Sequence, residues 1–250
     1  MAQFSMHFWP LGRRNPSRRI ARHLTYITGL DLVDPATEET CTYPRSDVEF
    51  AQIILPDPAP ERFYDLQYLL NQIEGAEKRP DARTGRRIFI ALPNELPLVE
   101  NIKLLKAFIN QDVLSHGLGA IAAIHRGENK EHPERSNPHG HIIVTTRSIG
   151  QDGFCRTKAR DCDRKEYLLR CRADFARIQN EAYARNGIDK AVDARSFRDQ
   201  GLDREPTRRL SRRDYELEKR GERTRAGDLN REIDERNAER DRLQEQELSH

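Results

Sequence analysis

The stretch that most narrows the choice of fold is NPHGHIIVTTR, residues 137–147, a β-branched run entered through two histidines. Branching at Cβ suits the pleated surface of a sheet, so His139 to Thr145 is expected to form a strand. Successive strand residues alternate faces, which places His139 and His141 on one face with Cα atoms roughly 6–7 Å apart. Their ring nitrogens can then converge on one ion. The segment AIAAIH, Ala120 to His125, reads as the preceding strand, and an antiparallel hairpin brings His125 to the same open end as His139. Three neutral imidazoles with open coordination positions make a catalytic metal site, because the vacant positions accept water or a phosphate oxygen. An H-x-H pair alone equally suits surface or hydrogen-bonded core histidines. The third imidazole on the paired strand is what favours the metal. Gly140, on the opposite face, lets a neighbouring segment approach closely.

The rest of the first 200 residues alternates strand and helix signals. Gln3 to Trp9 alternates and is rich in aromatics, a first strand that Pro10-Leu11-Gly12 should break. A short helix is expected between Ser17, near its cap, and Gly29, its stop, with Ile20, Leu24 and Ile27 on one face. Val48 to Leu55 and Arg87 to Leu92 read as strands, while helices are expected at about 61–73 and 98–116. Asp163 is the expected cap of a long helix from Arg164 to Asn186, with Tyr167, Leu168, Cys171, Phe175 and Ile178 as its inner stripe. The segment 126–138 is a long polar loop in which His132 is expected to face solvent. Beyond Gly201, Arg and Glu alternate and apolar residues thin out. Residues 1–202 are therefore expected to form one domain, and residues 203–250 a charged tail that is helical or partly disordered.

Charge narrows the function less than its distribution does. The 43 basic and 41 acidic side chains leave a net charge of +2, so overall charge gives little reason to propose nucleic-acid binding. The cluster Arg13, Arg14, Arg18, Arg19, Arg22 and His23 ahead of Tyr26 does give one, since concentrated guanidinium groups bind phosphates. Tyr26 could present its phenol to a bound phosphodiester. A phenol, with a pKa near ~10, attacks poorly at neutral pH unless a base or metal assists. Tyr26 also fits an amphipathic core position, and it is the histidines that favour the nucleophile. The four cysteines contain no C-x-x-C pair and are expected to be reduced. No apolar run approaches the roughly 18 residues of a membrane span, and a cytoplasmic protein is expected.

Four blocks in order, HLTYITG, AEKR with RRIFIALPNEL, IAAIH with NPHGHIIVTTR, and ARSFRDQGLDREPT, resemble the MobA/MobL family of plasmid mobilisation relaxases within the HUH endonuclease superfamily. The resemblance spans about Phe4 to Leu210. It implies an α+β fold, a central antiparallel sheet of about five strands flanked by helices. It implies metal-dependent nicking and rejoining of one DNA strand at a transfer origin, through a covalent 5′-phosphotyrosine. Carried over by position, Tyr26 is the nucleophile and His125, His139 and His141 hold Mg2+ or Mn2+. The implied partners are single-stranded or hairpin origin DNA, accessory mobilisation proteins and a type IV secretion coupling protein. Three positions depart from the family pattern: Phe89 stands where many relatives have an acidic residue, and Ala194 and Arg209 where they often have histidine. Asp193, Glu95 and Glu128 are the substitutes considered for the base. The departures also suit a relaxase-like accessory or repressor protein with weakened chemistry, and the chemistry itself also suits a replication-initiator nickase.

Overall fold

Side-chain alternation along the strands decides the layering. The computed structural model describes residues 4–127 and 136–248. In chain order the strands are β1 (Met6–Gly12), β2 (Leu32–Val33), β3 (Thr40–Cys41), β4 (Val48–Ile54), β5 (Arg83–Ala91), β6 (Leu118–His125), β7 (His139–Gly150) and β8 (Gly153–Lys158). The main sheet has the order β1-β5-β7-β6-β4 with every neighbouring pair antiparallel, and β8 pairs with β7. β2 and β3 form a separate two-stranded ribbon. The expected antiparallel sheet of about five strands is present, with β8 as a sixth.

Both faces of the sheet are covered, which is why β6 is buried along its whole length. On one face Ala120, Ala122, Ile124, Ile142 and Val144 pack with α3 (Leu98–Asp112) and α4 (Lys165–Arg185). On the other, Ile121, Ala123 and Ile143 pack with α1 (Ile20–Thr28) and α2 (Leu66–Gly75). Gly140 points toward the α3 side, where a Cβ would meet Leu105 Cδ1 at 3.0 Å. The helix approaches there as expected.

Several local expectations shift. Pro10 does not break β1, which continues to Gly12; β1 is an edge strand, where a residue without an N–H is tolerated. β5 begins at Arg83 because its pairing with β1 continues that far. The expected helix at 61–73 is divided into a 3-10 turn, Glu61–Tyr64, and α2, whose cap is Asp65 accepting from Tyr68 N at 2.6 Å. Asn15, rather than Ser17, caps the turn before α1, accepting from Ser17 N at 2.9 Å. Asp163 does not cap α4; its carboxylate accepts from the buried Arg86 guanidinium at 2.8 Å, a charge-assisted bond that outcompetes capping. All four cysteines are unpaired.

The chain divides into two compact units, Met1–Ala194 and Arg195–His250. The second contains α5 (Arg212–Lys219) and α6 (Arg225–Leu248). Among its described residues Ile233 is the one buried hydrophobic, and ion pairs link its segments: Glu205 with Arg236 and Arg240, Glu218 with Arg231. No described helix is long and apolar enough to cross a membrane.

Candidate metal and nucleophile site

Strand register assembles the histidines. His125 and His139 are direct cross-strand partners at the β6–β7 mouth, and His141 lies two residues inward on the same face as His139. Ring centroids are 4.6 Å apart for His125–His141, 5.0 Å for His139–His141 and 5.3 Å for His125–His139. One ligand atom from each lies within 4.8 Å of the others. That face is the one covered by α1. Ile20, Leu24 and Ile27 anchor the helix in the core, and Tyr26 is left at its margin, over the histidines. The Tyr26 ring is 5.7 Å from His125 and 5.6 Å from His141.

The hydrogen bonds orient the rings. Carbonyl oxygens only accept, so His125 Nε2 donates to Ile27 O at 2.9 Å and His139 Nδ1 donates to Asn137 O at 2.7 Å. Each ring therefore turns a lone pair the other way, at His125 Nδ1 and His139 Nε2. His125 Nδ1 and His141 Nε2 are buried without any hydrogen-bond partner. Orphaned buried ring nitrogens in a cluster of three imidazoles are what a divalent ion would satisfy, and the donor set fits one. Burial pushes all three imidazoles down, His125 to about 4, so all are neutral at pH 7. Neutral rings are the form that binds metal.

His141 Nδ1 has a different neighbour, Arg87 Nη2 at 3.3 Å. A guanidinium only donates, so in this arrangement His141 carries its proton on Nε2. Were Nε2 to hold an ion, the ring proton would sit on Nδ1 instead, and the Arg87 N–H would need another acceptor.

Sequence reasoning missed most of what surrounds the phenol. Arg45 lies over the Tyr26 ring at 4.5 Å and Arg87 at 5.4 Å, so two guanidinium groups flank the nucleophile candidate. Tyr43 packs edge-on at 5.0 Å. Arg45 is held by Asp47 in a two-pronged pair at 2.6 and 2.7 Å. Asp47 is thus a carboxylate linked to Tyr26 through Arg45. Phe89, at the position where the resemblance implies a carboxylate, places its ring 5.2 Å from His139 and 5.4 Å from His141. Glu95 is bound to Lys190, and the Ala194 carbonyl accepts from Arg172 at 3.1 Å. Asp193 follows α4, and Arg209 belongs to the second unit. Glu128 and His132 lie outside the described residues.

The arginine cluster separates into two kinds. Arg13 is committed to Glu74, at 2.6 Å through Nε, and to the Glu74 and Glu77 carbonyls. Arg19 is committed to Asp34 at 2.9 Å. Arg14, Arg18 and Arg22 are exposed. Sequence proximity could not separate the two kinds, because the pairing carboxylates come from α2 and from the turn after β2.

Gly127 is a further residue the sequence did not single out. Its φ is +53°, and a Cβ there would lie 2.1 Å from Asn137 O, the carbonyl that orients His139. Gly127→Ala is expected to displace Asn137 and weaken Mn2+ binding about 10- to 100-fold, read by calorimetry, with the global unfolding midpoint little changed. Unaltered Mn2+ affinity would show that the Asn137 carbonyl does not set the ring.

Comparison with known proteins decides the family. The model of the MobA/MobL family matches residues 20–220, most of the chain. The chain belongs to the MobA/MobL family. Among similar proteins, the "Conjugal transfer protein TraA" of Agrobacterium fabrum is 32% identical over 157 residues, covering 55% of this chain and 14% of TraA. The "Probable mobilization protein MobA" of Bifidobacterium longum is 30% identical over 193 residues, covering 76% of this chain and 32% of that protein. The chain thus spans a third or less of either relative. A solved structure described as the "Molecular Basis of Vancomycin Resistance Transfer in Staphylococcus aureus" superposes with a TM-score of 0.70 at 25% identity, over 78% of this MobA/MobL chain and all of that one.

Proposed function

We propose that this chain nicks and rejoins one DNA strand at a transfer origin in conjugative mobilisation. The observation that carries the reading is the Tyr26 phenol above three converging imidazoles, with ring distances of 5.6–5.7 Å to two of them. Tyr26 Oη attacks the scissile phosphorus and gives up its phenol proton, the P–O3′ bond breaks, and the departing 3′ oxygen takes up a proton. A tyrosyl 5′-phosphodiester forms, and attack by a 3′ hydroxyl reverses the step. Because one phosphodiester is exchanged for another, no outside energy is needed. His125, His139 and His141 would hold Mg2+ or Mn2+, which supplies Lewis-acid polarisation of the phosphate when bound. Arg45 and Arg87, flanking the phenol, offer positive charge to the phosphate at the point of attack. Asp47 keeps Arg45 in place. Residues 1–202 carry this chemistry in our reading, and 203–250 form a charged appendage available to accessory mobilisation or secretion-coupling proteins.

The deciding experiment incubates the protein, Mn2+ and a labelled single-stranded origin oligonucleotide, then looks for a band that stays protein-linked under denaturing conditions. A DNA-binding accessory protein with weakened chemistry is the second reading, favoured by Phe89 in place of a carboxylate. Strand binding without any adduct would support it.

Arg14, Arg18 and Arg22 would contact the backbone of the bound strand, while Arg13 and Arg19 buttress the fold. Replacing the three exposed arginines by Ala is expected to reduce the slope of log affinity against log salt by about 2, at ~0.7 per phosphate contact on a single strand. An unchanged slope would place the DNA elsewhere.

A further inference from the structure

We propose that Arg87 anchors a non-bridging oxygen of the scissile phosphodiester against the Tyr26 hydroxyl. This rests on the nicking reading above. The observation behind it is a charge without a counter-ion. Arg87 lies on β5 with its side chain largely enclosed, yet no carboxylate among the described residues pairs with it, and its Nε is buried without a partner. Its two terminal nitrogens donate only to neutral imidazoles, His23 Nδ1 and His141 Nδ1, each at 3.3 Å. His23 accepts because its own Nε2 donates to Ser17 O at 3.1 Å.

An enclosed guanidinium that is neither ion-paired nor fully hydrogen-bonded is costly to keep. Other enclosed arginines of this unit avoid that cost: Arg13 has Glu74, Arg45 has Asp47, Arg86 has Asp163 and Arg147 has Glu77, while Arg172, without a carboxylate, donates to the Met6 and Ala194 carbonyls. Arg87 is different in kind, and it stands where an anion is needed. It is 5.4 Å from the Tyr26 ring centroid and touches His141. Trp9, its cross-strand partner, flanks it at 5.7 Å from the ring centroid. Planar guanidinium forks match phosphate oxygens in geometry and charge. Were His141 to hold an ion through Nε2, the N–H of Arg87 that faces Nδ1 would also need a new acceptor, which a phosphate oxygen would provide.

The test measures binding rather than turnover. Wild type, Arg87→Gln and Arg87→Lys are titrated in EDTA with a fluorescent single-stranded 30-mer of the origin. The strand is used as a full phosphodiester and as a set with one neutral methylphosphonate walked along it. The expected result is one position at which the methylphosphonate costs wild type about 10- to 100-fold. Arg87→Gln should bind the full phosphodiester weaker by a similar factor, and lose nothing more at that position. Arg87→Lys should fall between. If Arg87→Gln retains the wild-type sensitivity at every position, the proposal is overturned. Should Arg87→Gln not fold, the 15N resonance of Arg87 Nε in wild type decides instead: it shifts on adding the DNA strand and not on adding a neutral peptide nucleic acid of the same sequence, and no shift with DNA overturns the proposal. Coupling without a covalent adduct would sustain the anchor and defeat the nicking reading, and an adduct without coupling would do the reverse.

Discussion

Tyr26→Phe is expected to abolish the covalent protein–DNA adduct while leaving the uncut strand bound within about twofold. Loss of a nucleophile typically costs about 10^4-fold or more in rate, since the remaining groups position and polarise but cannot form the bond. Phe keeps the ring, and with it the contacts to Tyr43, Arg45, His125 and His141. The variant therefore separates chemistry from folding. Denaturing gels of the labelled oligonucleotide give the adduct, and fluorescence anisotropy gives the affinity. An adduct that persists in Tyr26→Phe would remove Tyr26 from its role. Tyr43, 5.0 Å away, would then be the next phenol to replace.

Removal of the ion is the second large effect. EDTA should suppress nicking by about 10^3-fold or more, because Lewis-acid stabilisation of the phosphate is worth several kcal/mol. His141→Gln should do the same with less than twofold effect on strand binding at low salt. His141 is the most enclosed of the three imidazoles after His125, at 1% exposure. Gln preserves volume and one polar atom but lacks the ring nitrogen geometry, so Mn2+ affinity should fall about 100-fold while the fold survives. Calorimetry with Mn2+ checks the affinity independently of any cleavage. Full nicking in EDTA, with no residual ion detectable, would refute the metal-dependent reading.

Much of the site was legible because its parts obey short-range rules. The period-2 alternation places His139 and His141 together, and the helical spacing of Ile20, Leu24 and Ile27 buries one side of α1. The hairpin of AIAAIH with the β-branched run supplies His125 once the pairing is antiparallel, and the register His125↔His139 is what the structure has. Pro10 misled because propensity does not reveal whether a strand lies at an edge. Asp163 misled because a carboxylate at a helix start is also free to pair with a buried arginine 77 residues away. Arg87 carried one usable signal, an arginine two residues from Phe89 and so on the same strand face, but nothing nearby in sequence says what that face meets.

The sequence by itself determined the five central strands, the main helices, the three histidines as a group, the candidate phenol and the family blocks. These depend on periodicity and on residue types within a few positions of one another. Tertiary structure alone decided that α1 lies over the histidine face, that Arg45 and Arg87 flank Tyr26, and that Asp47 steadies Arg45. It also decided that Arg13 and Arg19 are held by carboxylates while Arg14, Arg18 and Arg22 stay exposed. The physical reason is that one arginine looks like another along the chain. Its role is set by whether packing brings it a carboxylate, and for Arg87 packing brings none among the described residues.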